Sequence, residues 1–103
     1  MSDYAADLAL LREAALAAGE LALAEREAGL KIEVKPGGSP VTQADLAVDA
    51  LLKQRLLGAR PDYGWLSEET EDNAERLSKR RIFVVDPIDG TVAYMKNKPW
   101  WCV

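Results

Sequence analysis

In the run RIFVVDPIDGTVAYM, Arg81 to Met95, an apolar segment ends on Asp86, turns at Pro87 and meets Asp89 just before Gly90 and Thr91. Pro87 has no amide hydrogen for a strand ladder, so IFVV should stop there and leave Asp86 at its carboxyl-terminal mouth, where α/β proteins commonly bind ligands. Two ionised carboxylates about 4 Å apart repel by roughly 4 kcal/mol at an effective dielectric of about 20, and a divalent cation reverses that sign. Turn and helix N-cap roles would also account for an aspartate at each position. With no histidine and a single cysteine, Cys102, a cation here would take oxygen ligands. That favours Mg²⁺ over Mn²⁺ or Ca²⁺. Mg²⁺ bound by few carboxylates usually also holds a phosphate, whose oxygens could be received by the amides of Gly90 and Thr91 at a helix start.

Two further stretches carry acidic side chains. LSEET places Glu68 and Glu69 after a short apolar segment. Such a pair is most often a solvated face, but beside a metal site one glutamate could complete the coordination or activate water. SPVTQAD sets Asp45 three residues after Thr42, an approximate capping box that by itself explains both residues.

These groups have to be carried by a mixed α and β framework. Asp3 to Glu27 reads as a helix with Leu8, Leu11, Ala15, Ala18 and Ala22 on one face, capped by Ser2 or Asp3 and ended by Gly29. Gly19 within it suggests a close packing contact. Ile32 and Val34 mark a short strand that runs into a Pro-Gly-Gly turn. A second helix starts at Thr42, buries Val48, Leu51, Leu52 and Leu56, and is stopped by Gly58 and Pro61. DYGWLSEE predicts a strand leading into an acidic loop, TEDNAERLSK a weakly helical polar segment, and RIFVV a buried strand.

Composition narrows the classes. The chain has 103 residues, 49% hydrophobic and 29% charged, and no apolar run near the ~20 residues that span a bilayer. It lacks a basic, apolar leader, so a cytoplasmic protein is expected. One cysteine forbids an internal disulfide, and the absence of histidine removes Ser-His-Asp and Cys-His catalysis. A net charge of −4, with one short basic cluster at Lys79 to Arg81, argues against a nucleic-acid polymer as partner. The bulky apolar end PWWCV suggests a chain that stops partway through a strand of a larger protein.

SPVTQAD, LSEE and VVDPIDGT, in this order, resemble the inositol monophosphatase superfamily of Mg²⁺-dependent, lithium-sensitive phosphomonoesterases. The resemblance implies an αβαβα sugar-phosphatase-type fold, of which residues 1–103 would be the N-terminal portion of a single domain, lacking the Trp-Asp motif of the family's later half. It implies two or three Mg²⁺ ions, with Glu68, Asp86 and the Ile88 carbonyl on the first and Asp86 bridging to a second that Asp89 also binds. Gly90 and Thr91 would bind phosphate through their amides. The Thr91 hydroxyl, supported by Asp45, would help Glu68 orient a metal-activated water for in-line attack on a phosphate monoester. Lys35 stands near a lysine that many members carry close to the site, although a surface lysine is the plainer reading. The Ser-Pro-Val-Thr and Leu-Ser-Glu-Glu forms are similar to the 3′(2′),5′-bisphosphate nucleotidase branch. Inositol monophosphatase and histidinol-phosphate phosphatase are the alternatives, and a non-catalytic cation- or partner-binding fragment is the reading of another class. The fragment alone is expected to hydrolyse little, and a homodimer of the full-length protein is compatible with the resemblance. Two positions depart from the family: Tyr94 stands where Phe is common, and Asn97 where Gly is common. A ring that only packs and an asparagine in the left-handed conformation would both be tolerated.

Overall fold

An almost unbroken series of strong helix formers, alanine and leucine above all, carries α1 from Asp3 to Ala28 in the computed structural model, which describes residues 3–103. Gly29, at φ +111°, ends the helix as expected. Ser2, one of the two expected caps, lies outside the described residues. The buried face matches the predicted one only in its second half: Ala18 and Ala22 face inward as expected, but Asp7 and Ala14 precede them, and Leu8 and Leu11 are 59% and 40% exposed. With alanine on nearly every side, apolar spacing alone does not select a face, and the all-alanine stripe is the one that lets α2 approach closely. Gly19 makes no tight contact, since a methyl group there would meet nothing within 4 Å.

After α1 come β1 (Ile32–Val34) and β2 (Pro40–Thr42), an antiparallel pair in the register Ile32 to Thr42 and Val34 to Pro40. Only the first strand was expected. The second is three residues long and begins with a proline, too short for alternation to show. Then α2 (Gln43–Ala59) buries Val48, Leu52 and Leu56 in one core with the alanines of α1 and with Phe83. Gly58 stays helical. The helix closes at Arg60, whose amide reaches the Leu56 carbonyl at 2.9 Å, just before Pro61.

β3 (Gly64–Ser67) and β4 (Ile82–Val85) pair in parallel, Gly64 to Ile82 through Ser67 to Val85, across a connection holding a 3₁₀ turn at Ala74–Ser78. Phe83 is buried beneath the sheet, its ring centroid 5.1 Å from that of Tyr63. Parallel pairing places the C-terminal ends of both strands on one side of the molecule. α3 (Thr91–Met95) follows directly. No described helix is long and apolar enough to cross a membrane.

Candidate functional site

The parallel register sets Glu68, immediately after β3, beside Asp86, immediately after β4, and the Glu68 amide donates to the Val85 carbonyl at 3.1 Å. Asp86 is half-buried. Burial, and then the negative charges of Glu68, Asp89, Glu69 and Asp45, push its carboxyl above the usual carboxylate range. Four other carboxylates thus act on Asp86 through their charge.

The second half of the site comes from the start of α2. Thr42 and Asp45 form a full capping box. The Thr42 hydroxyl accepts from the amides of Ala44 and Asp45, while Asp45 Oδ2 accepts from the Thr42 amide at 2.8 Å and hydroxyl at 2.7 Å. The box uses only one carboxylate oxygen. The other, Oδ1, lies 3.1 Å from the Thr91 hydroxyl, which is also 3.1 Å from the Ile88 carbonyl and shares its one proton between them. Asp45 is only 1% exposed, so capping and support of Thr91 are two roles of one buried carboxylate.

Local backbone geometry presents Asp89 to Thr91. Gly90 takes the left-handed conformation at φ +86° and caps α3, and a Cβ on it would come within 3.0 Å of the Trp100 carbonyl. Trp100 is so close because Asp89 and Cys102 exchange backbone hydrogen bonds of 2.7 and 3.0 Å. Among the described residues, the amides of Gly90 and Thr91 make no hydrogen bond within the chain. Asn97 adopts φ +60°, the left-handed turn expected where glycine is common. Tyr94 does more than pack: it is fully buried, and its hydroxyl donates to the Ala22 carbonyl in α1 at 2.6 Å.

Lys35 is not a free surface lysine. It pairs with Glu69 at 2.9 Å, and that hydrogen bond, with the charges of Glu69, Glu68 and Asp45, holds its ammonium above the ordinary lysine range. The hairpin is thereby tied to the acidic loop. Asp49 was not anticipated. It is buried on α2, one turn beyond Asp45, and accepts from the hydroxyls of Ser67 and Thr70. An aspartate on a helix face otherwise formed by Val48, Leu52 and Leu56 was the signal available in the sequence.

Asp45, Thr91 and the Ile88 carbonyl are therefore in direct contact, and Glu68 and Asp89 act on Asp86 through their charge. The expected ligands are not closed into a cage: among the described residues, no three His, Cys, Asp or Glu side chains are grouped to hold a metal ion. Like-charge repulsion favours that spread. The donor chemistry nevertheless suits a hard divalent cation, being all oxygen and strongly negative, with a second lone pair on the Ile88 carbonyl. The basic cluster Lys79 to Arg81 lines a separate cleft of about 440 Å³ with Asp62, Tyr63 and Ser78, at the opposite end of β4.

Residues 3–103 match the model of the inositol monophosphatase family. A Streptomyces griseus protein named glucose-1-phosphate thymidylyltransferase is 36% identical, over 98% of this chain and 39% of its own length. A histidinol-phosphatase of Streptomyces coelicolor is 38% identical over 98% of this chain and 37% of its own length. A 3′-phosphoadenosine 5′-phosphate phosphatase of Mycobacterium leprae is 39% identical over 86% of the chain and 33% of its length. The crystal structure of the extragenic suppressor protein suhB from Bartonella henselae superposes with a TM-score of 0.83 at 31% identity, covering 93% of this chain and 38% of that one. The chain thus spans under two fifths of the length of each of these proteins.

Proposed function

From the chain's membership of the inositol monophosphatase family, we propose that it forms part of a divalent-cation-dependent phosphatase domain acting on a small phosphate monoester. The observation that carries this reading is the parallel register that sets Glu68 beside the half-buried Asp86 at the mouth of β3 and β4, where burial and neighbouring negative charge both disfavour an ionised Asp86 unless a cation compensates. Glu68, Asp86, Asp89 and the Ile88 carbonyl would hold the cation, with Mg²⁺ the ion their chemistry favours. A bound ion of this kind draws charge from phosphoryl oxygens and makes water a stronger nucleophile at neutral pH.

The chain's own groups would do the rest. The amides of Gly90 and Thr91 would receive phosphate oxygens, at a turn that only glycine occupies without strain. Thr91 Oγ1, fixed by Asp45 at 3.1 Å, would accept or pass on a proton beside Glu68, so that water is oriented towards phosphorus. Lys35 would limit the net charge of the acidic loop through Glu69.

For the substrate, we favour a 3′(2′),5′-bisphosphate nucleotide, supported by the Leu66-Ser67 form of the glutamate motif and by the Mycobacterium leprae relative. Ser67 turns its hydroxyl inward to Asp49, so its bearing on substrate would act through loop shape and not through contact. Histidinol phosphate is the second reading, favoured by the greater share of the chain that matches the Streptomyces coelicolor protein.

Two measurements test the proposal. Calorimetric titration with Mn²⁺ should show binding by the wild type that Asp86→Asn abolishes, and equal binding by both proteins would overturn the ligand assignment. Phosphate release from 3′-phosphoadenosine 5′-phosphate, histidinol phosphate and inositol 1-phosphate, measured with Mg²⁺ on the protein at its natural length, should rank the first substrate highest. Activity untouched by Asp89→Asn would remove Asp89 from the site.

A further inference from the structure

We propose that Asp49 is a positioning residue that clamps the Glu68–Glu69 segment from both sides, through Ser67 before it and Thr70 after it. Its two carboxylate oxygens are divided between the flanks: Oδ1 accepts from the Ser67 hydroxyl and Oδ2 from that of Thr70. Each hydroxyl also accepts a hydrogen bond, which fixes its orientation. Ser67 Oγ receives the Glu69 amide at 3.2 Å, and Thr70 Oγ1 receives the Trp65 indole N–H at 3.3 Å. Every donor in this chain of bonds therefore has one direction, ending on a carboxylate that has no proton to give.

The position of Asp49 gives the clamp its purpose. It lies four positions beyond Asp45, so the two share one face of α2 with a rise between them of about 6 Å. Asp45 holds Thr91, and Asp49 holds Ser67 and Thr70, the residues on either side of the glutamates. One rigid element thus sets the spacing between the two halves of the site. The geometry stands by itself, whereas its use in holding cation ligands rests on the function proposed above.

The test compares wild type with Asp49→Asn, which keeps the shape but leaves one acceptor oxygen, and with the double variant Ser67→Ala/Thr70→Val. Amide hydrogen exchange resolved by residue should show Glu68, Glu69 and Thr70 exchanging about tenfold faster in either variant, with the amides of α2 and β4 unchanged. Mn²⁺ affinity by calorimetry should fall by about tenfold or more, as for other supports of metal ligands. Combining all three substitutions should add nothing further, because the same bonds are removed from either side. Unchanged exchange in the loop would overturn the clamp, as would equal loosening of α2. If Asp49→Asn does not fold, the double variant decides on the same criteria. Loosened loop amides in a protein whose wild type binds no Mn²⁺ would uphold the clamp and overturn the cation reading instead.

Discussion

Asp86 is held at the mouth of the parallel strands under the influence of burial and of four other carboxylates. Its folded pKa lies above the ordinary aspartate value, so its ionisation opposes folding, and the stability present below the ordinary value is lost as pH rises through the raised one. Asp86→Asn should therefore raise the unfolding free energy at pH 7 in cation-free buffer by on the order of 0.5 kcal/mol for a group partly screened by solvent, seen as a higher urea midpoint. Added Mn²⁺ should raise the wild-type midpoint above that of the variant. Gly90→Ala should cost about 1–2 kcal/mol in the same assay, since φ +86° and the Trp100 carbonyl at 3.0 Å both oppose a Cβ. The placements of Asp86 at a strand end, Gly90 in a left-handed turn and Asp45 in a capping box were legible because each sits in a local motif. Asp49 was not, since its partners lie 18 and 21 residues away and only folding brings them together.

At the scale of elements, α1 shows where pattern reading stops. Its existence and its end at Gly29 follow from composition, but its inward face does not, because an alanine stripe and a mixed leucine stripe score alike. The open space around Gly19 turns this into a prediction: Gly19→Ala should stabilise the protein by about 1 kcal/mol, seen as a higher thermal midpoint. A lower midpoint would mean that this face of α1 is in contact. β3 and β4 were legible as strands, but β4 is not the buried strand its apolar run suggested: only Phe83 is buried, and Val84 is 71% exposed because nothing in residues 3–103 covers that face. The parallel pairing of the two strands was not legible, because residues between them gave no sign of which edges would meet. That pairing is nevertheless what brings Glu68 to Asp86.

Across the molecule, the 26-residue α1 is about 39 Å long by helix rise and sets the longest dimension, 42 Å. Near its start, Asp7 joins distant segments: it accepts from the Tyr63 hydroxyl at 2.7 Å and from Arg60 at 2.9 Å, and lies 3.6 Å from Arg81. The Tyr63 hydrogen bond first, then the two guanidinium groups, outweigh burial and hold its carboxyl below the ordinary aspartate range. Stability from this junction is therefore present above that range and lost as pH falls through the lower, folded value. Asp7→Asn should lower stability at pH 7 and flatten the acid limb of an unfolding curve followed by circular dichroism. An unchanged limb would mean that other carboxylates govern it.

The placement of two carboxylates one turn apart on α2 also sets an order in which the site can come undone. Helices open from their ends, and Asp45 lies in the first turn, secured by the Thr42 box, whereas Asp49 lies a full turn deeper. Fraying of α2 from its N-terminus releases Thr91 while the Glu68–Glu69 segment is still held, so warming would loosen the Thr91 turn before the acidic loop.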